Sequence, residues 1–200
     1  MTISAVQYPT GVTFEEFLAT VDEGTHAEWV DGEVVPVTPP SDEHARISLF
    51  LAEILSGFVT RTRVGGRVRH APFQMKLASS AREPDVLYAT PEKADRFQRL
   101  YLDGPADLIV EVVSPESRTR DRRDKFREYA LAGVREYWLV DPLKRSCEVF
   151  RLSGGAFEPV PAASSARIES GVLPGFWIEL DWLWMEEPDM WIAFEAWGLI

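Results

Sequence analysis

One cysteine in 200 residues, Cys147, leaves this chain unable to form an internal disulfide or a multi-cysteine zinc site. No apolar run approaches the roughly 18 residues that a membrane-spanning helix needs. The opening residues, MTISAVQYPTG, lack the basic start and apolar stretch of a secretory leader. These absences predict a cytoplasmic protein with no membrane partner. Positive charge is also scarce: 21 lysines and arginines face 32 aspartates and glutamates, a net charge of −11. That balance excludes a surface coated in base for nucleic acid, though not a local basic groove. Repeats, low-complexity blocks and interdomain linkers are missing too.

What is present suits one domain spanning 1–200. Hydrophobic residues make up 46%, enough for a core at this length. Thr13 and Glu16 have the spacing of a capping box, so a short helix is expected over 13–20. Residues 26–40 read as a hairpin turned at Asp31-Gly32. Ser41 caps a longer helix over about 42–60, with Ile47, Leu51, Ile54, Leu55 and Phe58 at helical spacing. Strands follow over 63–71 and 72–78, separated at Pro72, and over 83–89, and 90–106 reads as a loop with one helical turn. DLIVEVVS (107–114) is almost all β-formers and predicts a central strand covered on both faces. A helix to Leu131, a buried strand over 136–142 and C-terminal β additions complete the pattern. The order over 42–141 predicts an α/β core with a mixed central sheet flanked by helices. The aromatic extension at 186–200 is expected either to dock on that core or to serve as a subunit interface.

Glu111 stands out because a charge inside a buried strand is costly unless it is paired or binds metal. Alternation puts Asp107, Ile109, Glu111 and Val113 on one face of the strand. If the 83–89 strand is its neighbour, Asp85 and Glu111 converge, and two such carboxylates need a proton or a cation between them. Oxygen ligands suit Mg²⁺ or Mn²⁺. Asp121, Lys125 and Glu128 or Tyr129 fall on one face of the following helix, which packs back toward the strand and brings Lys125 to the acids. Each residue has a plainer alternative. Asp85 could be a turn residue, Glu111 the partner of Arg82 or Arg69, Lys125 a surface lysine paired with Asp121. His44 could be a helix-start residue and Glu28 an arginine partner. Two basic segments, 61–70 and 118–127, supply Arg67, Arg69, Arg118, Arg120 and Arg122 for a phosphate groove, or else form solvated faces.

The pieces EWVDGEVV (28–35), PPSDEHARI (39–47), REPDVLY (82–88), DLIVEVVSPESRTRD (107–121), DKFREYALAGVREYWLVDP (124–142) and VLPGFWIEL (172–180) resemble, in order, the Uma-two family of bacterial endonucleases. Pro84-Asp85 followed by Glu111-Val112-Val113 is similar to the PD-(D/E)XK nucleases, which share the restriction-endonuclease-like fold. Those enzymes usually carry lysine two residues after the acid, where this chain has Val113. The resemblance implies an Mg- or Mn-dependent endonuclease acting on DNA. Asp85 and Glu111 would be metal ligands, with a Val112 or Val113 carbonyl as a third. Lys125 would be the lysine moved to the next helix, and Glu28, His44, Asp121 and Tyr129 would be supporting residues. Cutting both strands of a duplex further implies a homodimer. An inactive nucleic-acid-binding or assembly module on the same fold is the alternative.

Overall fold

Thr13 opens the first helix, α1 (Phe14–Thr20), with the reciprocal cap its spacing predicts. Glu16 N–H donates to Thr13 Oγ1 at 3.2 Å, and Glu16 Oε2 accepts from Thr13 N–H at 2.7 Å. This computed structural model describes residues 10–20, 26–115, 117, 119–161 and 166–200. The hairpin β1 (Ala27–Val30) and β2 (Glu33–Pro36) turns at Asp31 and Gly32, with φ of 50° and 86°. Ser41 caps α2 (Asp42–Thr62), its side chain accepting from His44 N–H at 3.2 Å.

Next come β3 (Arg67–His70), β4 (Gln74–Lys76), β5 (Ser80–Arg82), β6 (Val86–Ala89), β7 (Tyr101–Asp103) and β8 (Leu108–Val112). A π-helical stretch, Arg120–Lys125, runs into α3 (Phe126–Ala132), which Gly133 ends at φ 90°. The chain continues through β9 (Glu136–Asp141), β10 (Ser146–Ser153), β11 (Ala156–Pro159), β12 (Arg167–Glu169), β13 (Trp177–Glu179) and α4 (Met190–Ala196).

A six-stranded sheet, ordered β11-β10-β9-β8-β6-β3, forms the centre. Only β8 and β9 run parallel in it, so it is the mixed sheet the sequence predicts. A second sheet, β2-β1-β5-β4-β7, extends the N-terminal hairpin. Its strands β5 and β7 were not expected, and β7 lies within 90–106, read from sequence as loop. Three residues each give too little alternation to betray a strand.

The two faces of β8 divide the core. Leu108, Val110 and Val112 meet Ile47, Leu51, Ile54, Leu55 and Phe58 of α2. Ile109 and Val113 meet Tyr129 and Ala130 of α3 on the other face. Glu111 sits on this second face, 4% exposed among apolar neighbours, so the puzzle it poses in the sequence persists in three dimensions.

The aromatic extension docks on the chain's own core. Ala193 and Phe194 are buried, Trp197 Nε1 donates to Trp177 O at 3.0 Å, and the Trp197 ring meets Phe58 and Phe176. Phe194 and Trp197 are therefore spent internally, while Trp191 remains 43% exposed. Gly57 on α2 makes room for this docking: a Cβ there would lie 2.8 Å from Phe194 Cε1 and closer still to Cζ. Gly57→Ala should gain up to about 1 kcal/mol of helix propensity. It should lose about 1–3 kcal/mol to overpacking, so a net fall in urea midpoint is expected.

Candidate active site

The site forms where β6 begins and β8 ends, at the edge of the central ladder. Asp85 precedes β6, and its carboxylate continues the pairing that the backbone abandons after Val86 and Val110. Oδ2 accepts from Val112 N–H at 2.7 Å, and Oδ1 lies 2.8 Å from Nε2 of His44, in the first turn of α2. Asp85 thus ties β6, β8 and α2 together at one point.

Lys125 is the hub of the cluster. Its ammonium lies 2.9 Å from Glu111 Oε1, 3.1 Å from Glu28 Oε1 and 3.7 Å from Asp121 Oδ1. The side chain is 4% exposed. It reaches Glu111 from the entrance to α3. Tyr129, one turn further on, donates its hydroxyl to the same Glu111 Oε1 at 2.8 Å. Tyr137 O–H donates to Asp121 O at 3.2 Å and pins the π-helical stretch that carries Asp121 and Lys125. Glu28, from β1, offers its second oxygen to Arg82 at 2.9 Å. Arg82 also holds Glu128 at 2.6 Å, and Ser80 donates to Glu128 as well. Arg82 therefore partners Glu28 and Glu128, not Glu111 as one alternative had it.

The acids outnumber the bases. Glu28, Asp85, Glu111, Asp121 and Glu128 share the fixed charges of Lys125, Arg82 and the nearby Arg120, with His44 beside Asp85. Protonation equilibria register the imbalance. Burial pushes Glu111 up to about 8 against the pull of Lys125, and Asp121, Asp85 and Glu28 push the same way. Burial raises Asp121 too, despite Lys125 and a Ser117 hydrogen bond. Burial would also raise Glu28, but Lys125, Arg82 and Arg120 overcome it and hold this acid at about 2. Burial opposes the charge on Lys125, yet Glu111, Glu28 and Asp121 raise its pKa, so it stays an ammonium. Burial likewise opposes His44, and the Asp85 hydrogen bond and charge more than compensate, raising it.

A divalent cation fits this donor set. The donors are oxygens, the cluster holds surplus negative charge, and buried Asp121 Oδ1 has no hydrogen bond among the described residues. Two acids whose affinity for protons is raised are acids that a cation could serve instead. No three acidic, cysteine or histidine side chains are gathered in coordinating geometry among the described residues. A pair of carboxylates completed by water is what Mg²⁺ ordinarily takes.

Residues 14–181 match the model of the Uma2 family, described as "Putative restriction endonuclease". The chain belongs to the Uma2 family. An uncharacterized protein of Synechocystis sp. is 26% identical over 133 residues, covering 65% of this chain and 75% of its own. A crystal structure titled as a putative nuclease belonging to DUF820, from Anabaena variabilis, superposes with a TM-score of 0.72. It shares 16% identity and covers 94% of this chain and 99% of its own. This Uma2 chain therefore has the restriction-endonuclease-like fold.

Of the residues singled out from sequence, Glu28, His44, Asp85, Glu111, Asp121, Lys125 and Tyr129 fall in this one cluster. The arginines scatter. Arg120 faces the cluster, close enough to Glu28 and Asp121 to lower both their pKa values. Arg122 pairs with Asp141 at 3.6 Å and with Glu148. Arg67 and Arg69 lie over Phe97, and Arg69 also over Phe73. Arg118 lies outside the described residues. The pairing of Arg82 with Glu128, with Ser80 in support, was not expected, because Ser80 and Arg82 come from a three-residue strand. Its signals in the sequence were Arg82, an available cation, and Glu128, three residues after Lys125.

Proposed function

We propose that this chain is a metal-dependent endonuclease that hydrolyses phosphodiester bonds in DNA. One observation carries the reading: a single buried lysine bridges three buried acids, in a cluster with more negative charge than its own bases offset. Asp85 and Glu111, assisted by Asp121, would hold Mg²⁺ or Mn²⁺. The ion would supply charge for the phosphate oxygens and a more acidic water. The chain's own residues do the rest. Lys125 stays charged and can turn from Glu111 to a non-bridging phosphate oxygen, where negative charge grows as water attacks phosphorus and the bond to the leaving sugar oxygen breaks. Tyr129 keeps Glu111 oriented while Lys125 shifts. Arg82 keeps Glu28 in place at the rear of Lys125. His44, held by Asp85, stands at the mouth of the site. Arg120, which acts on Glu28 and Asp121, would meet the DNA backbone nearest the cut. Cutting both strands of a duplex would pair two copies through a surface other than the internally docked α4 segment.

Incubation with supercoiled plasmid tests the reading. Nicked or linear product is expected with Mg²⁺ or Mn²⁺, and none with chelator. DNA binding with no product under either metal would instead favour a binding or assembly module. Binding in chelator should weaken with salt, and Arg120→Ala should lower the slope of log K against log salt by about one. An unchanged slope would remove Arg120 from the DNA contact.

A further inference from the structure

All three histidines of the chain, His26, His44 and His70, line one pocket of about 270 Å³. They arrive from three places: the residue before β1, the first turn of α2 and the end of β3. Glu83 and Asp85 edge the same pocket, and Val37, Pro40 and Leu49 wall it. Glu83 is held by Gln74 at 2.6 Å and faces His26 at 3.5 Å. The pocket thus adjoins the acid cluster through Asp85 but is a separate space beside it.

Its chemistry argues for one kind of occupant. No lysine or arginine is among the described residues lining it, and two carboxylates are. A phosphate would be repelled there. A flat, uncharged heterocycle would not be: imidazole rings stack on it, apolar walls enclose it, and ring nitrogens and carboxylate oxygens meet its polar edge. The volume lies at or below the smallest ligand pockets, which start near about 300 Å³, and suits one base rather than two. A base in a duplex is stacked on both faces and paired along its edge. It can enter such a space only after leaving the stack.

We propose that this pocket seats one unpaired nucleobase of the strand being cut, beside the phosphate held at the acid cluster. The inference rests on the nuclease reading and narrows its substrate to single-stranded or locally opened DNA. The nucleotide flanking the cut is gripped by its base, and the scissile phosphate is thereby set against Asp85 and Glu111.

The test uses the full chain, an oligonucleotide of mixed sequence as single strand and as duplex, and two variants outside the acid cluster. Leu49→Trp narrows the pocket from a side chain that is 54% exposed, and His70→Ala removes a ring from an exposed position. Melting curves confirm folding of both. In chelator, the wild type should bind the single strand at least about tenfold more tightly than the duplex. Each variant should lose about fivefold or more of the single-strand affinity and keep its duplex affinity. With Mn²⁺, cleavage should follow the same order. Equal affinity for the two forms, or single-strand binding untouched in folded Leu49→Trp, would overturn the proposal. If plasmid is nicked while the pocket variants behave as wild type, the base pocket falls and the nuclease reading stands. If no DNA is cut under any metal but single-strand binding still depends on Leu49 and His70, the nuclease reading falls and the base pocket stands.

Discussion

Glu111→Gln is expected to reduce metal-dependent cleavage by more than about 100-fold while leaving the protein at least as stable as wild type at pH 8. The two halves of this result have one cause. Glutamine keeps the shape of the side chain and an oxygen for Tyr129 and Lys125, but it cannot take the negative charge a divalent cation needs. Burial, together with Asp121, Asp85 and Glu28, raises the folded-state pKa of Glu111 from 4.5 to about 8. The folded state therefore binds this proton more tightly than the unfolded chain. The stability it contributes is complete below about 4.5 and is lost as pH rises through 8. Glutamine is permanently in the favoured uncharged state, so the metal-free variant should lose less stability than wild type between pH 5 and 8. Urea unfolding in chelator at several pH values measures this. Parallel slopes in the two proteins would show that Glu111 is ionised throughout. Glu28 works the opposite way. Its depressed pKa, 4.5 to about 2, adds stability present above 4.5 and lost as pH falls through 2.

Lys125→Met should damage both activity and fold. Methionine fills a similar volume but strands Glu28, Glu111 and Asp121 without their shared cation. Breaking a buried ion pair from one side costs about 3–5 kcal/mol, a large part of the ~5–15 kcal/mol that holds a domain together. The loss should deepen from pH 5.5 to 8, because the stranded acids are easier to bury as neutral carboxyls. Adding Glu111→Gln removes one stranded charge, so the double variant should be more stable than Lys125→Met alone. A favourable coupling of about 1–3 kcal/mol between the two sites is expected from the cycle. Strict additivity would mean that Lys125 and Glu111 do not act on each other and that the 2.9 Å contact carries no energy. Cleavage by folded Lys125→Met at the wild-type rate would remove the lysine from the reaction.

Much of this architecture is legible in the chain because its determinants are local. The Thr13–Glu16 cap, the Asp31-Gly32 turn and the Ser41 cap each need only neighbouring residues, and each appears in the structure as its chemistry dictates. Alternation along 107–114 places Glu111 on the correct face before any neighbour is known. What escapes is non-local. The second sheet joins β1 to β5 and β4 to β7 through strands too short to carry a period. Arg82 is visible as a cation available to an acid, but its partner is settled by how β1, β5 and α3 meet. Ordinary helical spacing already brings Asp121 beside Lys125, so the π-helical winding of 120–125 itself leaves no separate mark in the sequence.

The docking of α4 on α2 also sets a schedule for biosynthesis. Every acid and base of the cluster has been translated by Tyr129, yet α2, which carries His44, still lacks the Phe194 and Trp197 rings that close over Gly57 and Phe58. At roughly 5–20 residues per second, a ribosome needs several more seconds to deliver them. A nascent chain paused in that interval holds the side chains of the cluster while α2 still lacks the packing of α4. The full packing around α2 should therefore follow the synthesis of α4 and not precede it.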